Sequence, residues 1–441
     1  MLTHDSDTQY KIFEDHAVHK QVPAVCTDQD RILLRNLAQQ VADIASLPVH
    51  QKIQLLWRQV NQRSMHRPVV WINEICWNEM GHGEDLVLRT STPFARMIES
   101  QLLQTCFLWN HMPADMVVEP AVYTPLAVHT TGIGLQVDEH TLPSDPENTV
   151  VSHEYHTQLA HEDDLEKIQI PTVTHDAERS KETLEAYEDI FSGILPVIQR
   201  GIPGFWFAPW DDLVTLCGAQ EVLLNLALKP DFMHRAIETL VSAYLKALDQ
   251  YQALGLLASN NTNVRVGSGA YGYTDDLPEA ETLLTNASPD QIWGSAAAQI
   301  FSDVSPHMHE EFAVSYERRW LERFALTYYG CCEPLETKLD VLASIPNLRK
   351  ISVSPWNDLQ KICEAVGSTY VISYKPNPAI FAGSTWDLES ASRELAYAVR
   401  TARRYGCSME IVMKDISTVH YQPHRLMEWA RSAMQICRTD S

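Results

Sequence analysis

Residues 325–358 read ALTYYGCCEPLETKLDVLASIPNLRKISVSPWND. The run Leu326-Thr-Tyr-Tyr is rich in strand formers and stops at Gly330-Cys331-Cys332-Glu333-Pro334. A helical segment follows. A second run, Arg349-Lys-Ile-Ser-Val-Ser, stops at Pro355-Trp356-Asn357-Asp358. Strand, tight turn, helix and strand predict a βα unit with parallel strands. In proteins built from such units, active sites collect at the carboxyl ends of the strands. Here those ends carry two thiols, hydroxyls, an acid and an aromatic.

The same alternation extends in both directions. Short apolar runs at 69–72, 116–123, 204–208 and 264–266 precede the opening stretch, and runs at 370–374 and 409–413 follow it. Between them lie helical patterns at 94–107, 181–199, 220–256, 293–324 and 387–405, with a last helix at 423–436. Lys229-Pro230-Asp231 splits the third of these. Eight strands separated by helices predict an α/β fold, a (β/α)8 TIM barrel. The expected organisation is an N-terminal arm and helical cap over residues 1–66, then the barrel over 67–441. A long polar insertion, about 124–165, follows strand two and is expected to hold a hairpin and a His-rich acidic piece.

Composition narrows the function. Of 441 residues, 45% are hydrophobic and 21% charged, enough for a large core. A formal net charge of -23 argues against nucleic-acid or anionic-membrane partners. No long uncharged apolar run predicts a membrane span, and the N-terminal residues lack the pattern of a signal peptide. Nine scattered cysteines, an odd number, suggest reduced thiols and a cytoplasmic setting.

Several motifs together resemble the uroporphyrinogen decarboxylase superfamily. They are Arg67-Pro68-Val69-Val70-Trp71, Phe205-Trp-Phe-Ala-Pro-Trp-Asp-Asp-Leu, the turn Lys229-Pro230-Asp231 within a long helix, and Val304-Ser305-Pro306 leading to Glu311-Phe312. The resemblance covers roughly residues 68–437. It implies a barrel, often dimeric, with either porphyrinogen decarboxylase or zinc-dependent corrinoid:thiol methyltransferase activity. The decarboxylases follow strand one with an arginine-bearing motif. Here that place reads Ile72-Asn73-Glu74-Ile75-Cys76-Trp77, without arginine. The methyltransferases carry His-x-Cys on a strand end as zinc ligands, where this chain has Tyr329-Gly330-Cys331-Cys332. The outline is closer to the methyltransferase branch.

The candidate site residues follow from strand ends. Cys331, Cys332 and Glu333 are the candidate metal ligands, because thiolates ligate zinc or attack electrophiles. Neighbours on a strand point to opposite faces, so one cysteine is expected to face the site. Glu74, Lys414 and Asp415 are the candidate catalytic groups. Glu74 sits in an apolar run where an unpaired carboxylate is costly, and Lys414-Asp415 could orient a base. Asn73, Trp210, Tyr271, Ser352, Ser354, Trp356 and Lys375 are the candidate substrate contacts. Packing or helix capping accounts equally well for Trp210, Tyr271 and Ser354. The His-rich piece at 153–161 lacks the His-Glu-x-x-His spacing, and Gly267–Gly272 lacks a dinucleotide-binding pattern.

Three readings emerge. The leading one is zinc-assisted methyl transfer with a corrinoid on a partner protein. The second is a metal-independent decarboxylase or lyase that holds a small carboxylate on Lys375 and Lys414. The third is a non-catalytic module that binds a corrinoid protein or metabolite through the 124–165 insertion.

Overall fold

The computed structural model describes residues 10–16, 24–81, 83–143 and 151–439. Part of the expected arm therefore lies outside the described residues. Helix α1 (Asp28–Ala45) opens with a capping box, in which the Thr27 hydroxyl accepts the Asp30 N–H and the Asp30 carboxylate accepts the Thr27 N–H. Leu47-Pro48 then breaks the chain, and α2 (Val49–Asn61) follows. Its apolar stripe buries Ile53, Trp57 and Val60 against β1 (Val69–Ile72) and the segment around Tyr271. The Trp57 indole N–H donates to Asp115 O at 2.8 Å, which fixes the helix on the strand ends.

The next strands are β2 (Val122–Pro125), β3 (Val128–Thr130), β4 (Glu139–Pro143), β5 (Val151–Tyr155), β6 (Val173–His175) and β7 (Val197–Arg200). The remainder are β8 (Trp293–Ala296), β9 (Leu326–Tyr329), β10 (Leu348–Val353), β11 (Val371–Tyr374) and β12 (Ser408–Met413). Six form one parallel sheet in the order β1-β12-β11-β10-β9-β8. The first strand thus pairs with the last, Val69 opposite Glu410, which is the wrap-around that βα repeats favour. β2 and β7 form a separate parallel pair.

The fold is mixed α/β with a parallel sheet, but no closed ring of strands is present among the described residues. On one side of the seam, the Asp115 N–H donates to Val70 O at 3.0 Å in place of a ladder. Ile202 and Leu257 make a single parallel bridge. The Asn260 side chain then stands in for a strand edge, bonding both the N–H and the carbonyl of Trp293 at 2.9 and 3.0 Å. The segment Ser259-Asn-Asn-Thr-Asn is buried and pairs backbone with side chains, which competes with sheet formation. A narrow cavity of about 30 Å³, lined in part by Asn260, Arg265 and Ser295, occupies this seam.

Two expected strands are corrected. Residues 204–208 are irregular backbone running into α5 (Pro209–Cys217), although Phe205, Phe207 and Ala208 are buried as strand residues would be. Residues 264–266 contribute only the antiparallel bridge Arg265–Tyr271. Two strands were hidden in expected helices. Helix α4 (Ala177–Phe191) stops before Gly193, and β7 follows Pro196. β8 tolerates Gly294 because a Cβ there would meet the Phe324 ring at 2.3 Å. The insertion holds the β4–β5 hairpin, whose residues 144–150 lie outside the described residues. Its histidines face acids: His153 meets Glu139 at 2.8 Å and His156 meets Asp138 at 3.1 Å.

Side-chain alternation gives the sheet two unlike faces. Val70, Ile72, Ile351, Val353, Ile372, Ile411 and Met413 join the main apolar core with the surrounding helices, α3 (Pro93–His111) among them. The opposite register carries Tyr328, Lys350, Ser352, Ser373, Glu410 and, beyond the strand ends, Lys375 and Lys414; all are buried. Among the described residues no helix is long and apolar enough to cross a membrane.

Candidate active site

The deepest pair on the polar face is Lys350 and Glu410, both fully buried, with Nζ and Oε2 at 2.9 Å. Lys350 also donates to Tyr271 O at 3.1 Å, and Glu410 accepts the Ala270 N–H at 3.1 Å. These bonds draw the 267–273 loop onto the sheet. Gly269 is required there, since a Cβ would lie 2.5 Å from Glu410 Oε1 and 2.6 Å from the Tyr328 ring. The loop is a turn packed down on the sheet, with Ser268 to Tyr273 buried.

One layer nearer the carboxyl ends, the Lys375 ammonium donates to Ser352 Oγ at 2.6 Å and Tyr328 OH at 2.9 Å. Ser268 bonds Tyr328 OH at 3.0 Å and Gly330 O at 2.9 Å. Lys375 is 3% exposed and, among the described residues, has no carboxylate within ion-pair distance. A buried cation surrounded by neutral oxygens favours an anion beside it.

At the rim, Glu74 binds Arg265 at 2.6 Å and Lys414 at 3.0 Å, and Lys414 reaches Asp415 at 2.6 Å. Glu74 and Asp415 both have positive φ, +49° and +57°. Such backbone is strained for residues with a Cβ. It is held by reciprocal bonds: the Ile416 N–H to Glu74 O, the Asp415 N–H to the Glu74 carboxylate, and the Glu74 N–H to the Asn73 side chain. Burial alone would raise the Glu74 pKa, but the Arg265 and Lys414 charges outweigh it and hold the carboxyl well below the usual range. Asp415 is raised, chiefly by burial. Lys414 is raised despite burial, by the neighbouring thiol pair and by the charges of Glu74 and Asp415.

The thiols sit against these lysines. Gly330, at φ +96°, turns the chain out of β9, and the two sulfurs lie 3.7 Å apart. Cys331 is buried at 5% exposure, whereas Cys332 is partly exposed. The hydrogen bond from Cys331 lowers the Cys332 pKa against the cost of burial, with Lys414 and Lys375 adding in the same direction. The same bond raises Cys331 well above its ordinary value. Cys332 is therefore the more readily ionised thiol of the pair.

A second buried network lies on the other face of β9. Tyr329 OH donates to Glu317 at 2.6 Å and meets His309 Nε2 at 2.7 Å. Burial pushes Glu317 up to about 8 and Asp211 up to about 7, and lowers His309 to about 3. Asp211 accepts from the Gln299 amide at 2.8 Å.

No family model and no curated protein matches this chain. A solved methyltransferase from Methanosarcina mazei is similar at 13% identity and a TM-score of 0.47, over 88% of this chain and 98% of that one. At that score and identity the likeness assigns neither fold nor activity.

Among the expected site residues, the structure gathers Asn73, Glu74, Cys331, Cys332, Ser352, Lys375, Lys414 and Asp415. Glu333 is corrected as a metal ligand. It is fully buried, and its two oxygens accept the Cys331 and Ala298 N–H groups at 2.8 and 3.2 Å. The sulfur spacing suits a tetrahedral metal, but Glu74 is tied to Arg265 and Lys414, and Asp415 to Lys414. Among the described residues, no group of three or more His, Cys, Asp or Glu is disposed to hold a metal. The residues present do not fit a three-ligand catalytic zinc.

Trp210 and Tyr271 are corrected as substrate contacts. Trp210 is fully buried, donates to Phe312 O at 3.0 Å and packs edge-on against Phe301. Tyr271 is fully buried between Trp57 and Trp71. Ser354 is a turn residue that accepts from the Asn357 amide at 2.9 Å. Trp356 is 68% exposed at the outer end of β10. Arg265, Ser268, Tyr328 and Lys350 were not singled out from sequence. A signal for Lys350 was present: a lysine in register with Ser352 and Ser354 inside an apolar strand.

Proposed function

We propose that this protein is an enzyme of methyl transfer in which the ionised Cys332 thiol accepts the methyl group from a donor whose anionic part is held at the carboxyl edge of the sheet. The observation that carries the reading is the partly exposed Cys332 sulfur, 3.7 Å from the Cys331 sulfur and within electrostatic reach of Lys414 and Lys375. A thiolate so placed attacks a methyl carbon: the S–C bond forms, the bond to the leaving group breaks, and the leaving group keeps the electron pair. Lys375 holds an anionic substrate group through charge, with Tyr328 and Ser352 orienting its ammonium. Glu74 holds Arg265 and Lys414 together at the rim, and Lys414 acts on the Cys332 sulfur through charge.

The test uses methylcobalamin with an isotopically labelled methyl group as donor, since a corrinoid-borne methyl is the donor implied by the family resemblance. The expected result is one labelled methyl on the peptide containing Cys332, absent in Cys332→Ser. Label elsewhere, or label unchanged in that variant, contradicts the reading.

The metal-independent lyase remains a second reading on one observation: Lys375 is a buried cation without a carboxylate partner. In that case carbon dioxide release from a carboxylate substrate is lost in Lys375→Ala and survives in Cys332→Ser.

A further inference from the structure

The adjacent thiols have a property that methyl transfer does not use. A trans peptide holds consecutive Cα atoms about 3.8 Å apart, below the roughly 4.4 Å at which disulfides begin. The two sulfurs lie 3.7 Å apart, too far for an S–S bond but within the span of two bonds of about 2.3 Å to one bridging atom. The turn at Gly330 therefore presents a bidentate sulfur site that closes with a small movement of the sulfurs.

Charge then selects the bridging atom. Lys414 and Lys375 both act on the two sulfurs, and Lys414 is itself 2.6 Å from Asp415 and 3.0 Å from Glu74. The nearby carboxylates are thus engaged with cations, and among the described residues no third His, Cys, Asp or Glu joins the two sulfurs in a metal-holding group. A divalent cation would enter beside ammonium groups with two ligands and no carboxylate to complete its shell. A neutral thiophile meets no such repulsion and needs no further protein ligand.

We propose that Cys331 and Cys332 form a binding site for neutral trivalent metalloids, of which arsenous acid and monosubstituted arsenous acids are the simplest. Two As–S bonds form and two As–O bonds break. The oxygens leave as water, carrying the two thiol protons, and arsenic stays trivalent throughout. Entry begins at the partly exposed Cys332, and ring closure recruits the buried Cys331. The site is independent of the methyl-transfer reading, because capture is a single binding step without turnover.

Phenylarsine oxide is the probe, titrated against the reduced full-length protein and read by intact and peptide mass. The expected product is one phenylarsenic, less two hydrogens, on the peptide containing both cysteines. It should resist excess 2-mercaptoethanol and be removed by 2,3-dimercaptopropanol. Cys331→Ala and Cys332→Ala should each weaken binding roughly 100-fold, the loss expected when a chelate becomes a single contact. The other close thiol pair, Cys363 and Cys407, is buried at 0% and 2% exposure. Cys363→Ala with Cys407→Ala should therefore leave the adduct unchanged. A second readout needs no variant: bound arsenical should protect Cys332 from iodoacetamide. An adduct that maps to Cys363 and Cys407, is stripped by the monothiol, or leaves Cys332 open to alkylation overturns the proposal.

Discussion

Lys350 and Glu410 form the ion pair on which the site rests, and breaking it should be costly in a specific pattern. Both side chains are fully buried, with 2.9 Å between Nζ and Oε2. At an effective dielectric of about 20, that distance gives roughly 6 kcal/mol of gross attraction. Desolvation of two charges cancels much of it, so the pair adds little net stability over an apolar replacement. Removing one partner is different, because the other stays buried and uncompensated. Lys350→Met and Glu410→Gln should each cost about 3–5 kcal/mol in urea unfolding. Lys350→Met with Glu410→Gln should cost well under the sum of the two singles, giving a coupling energy of about 3 kcal/mol. Lys350→Met also releases Tyr271 O, so proteolysis should open the 267–273 loop in that variant first. Single variants within about 1 kcal/mol of the parent, with an additive double, would refute the argument.

Other outcomes follow from the same geometry. Burial raises Glu317 to about 8, with Tyr329 as its hydrogen-bond donor. A carboxyl raised on folding makes the folded state hold the extra proton between its unfolded and folded pKa values. Stability should then fall as pH rises from about 5 to 8, by a few kcal/mol, with Asp211 contributing in the same direction. Glu317→Gln should flatten that slope, and thermal melts across the range check it. Glu74→Gln should cost about 1–3 kcal/mol, less than a fully buried pair because Glu74 is about one-third exposed. Hydrogen exchange should then rise at Asp415 and Ile416, whose N–H groups bond Glu74. Lys414→Ala should move the Cys332 titration upward more than Lys375→Ala, as judged by the pH dependence of alkylation.

The fold was legible where runs of strand formers end at turn residues. β1 and β9 to β12 are such runs, and their parallel order follows from the βα alternation. β8, Trp-Gly-Ser-Ala, has weak strand propensity, and β7, Val-Ile-Gln-Arg, continues the polarity of the helix before it. Neither carries a local signal, because sheet neighbours define both. Phe-Trp-Phe-Ala at 205–208 misled for the converse reason: its burial is strand-like, but its backbone bonds go to single partners, the Trp206 N–H to Tyr10 O and the Ala297 N–H to Phe207 O, rather than to a ladder. The site was legible where chemistry sits at strand ends, as at Glu74, Cys332, Lys375 and Lys414. Glu333 was misread because residue type does not reveal orientation. One turn beyond Gly330 its carboxylate folds back onto backbone N–H groups. Arg265 was invisible because its partner Glu74 is 191 residues away.

The most direct test of the thiol site is competitive labelling of the folded protein with limiting iodoacetamide across pH, with each cysteine read by peptide mass. Cys26 is the internal comparison, being partly exposed with its pKa raised by burial and nearby acids. Cys332 should react first at neutral pH, and its rate should level off at lower pH than that of Cys26. If Cys26 reacts first, or Cys332 is labelled only once the protein unfolds, Cys332 is not the nucleophile and the proposed chemistry falls.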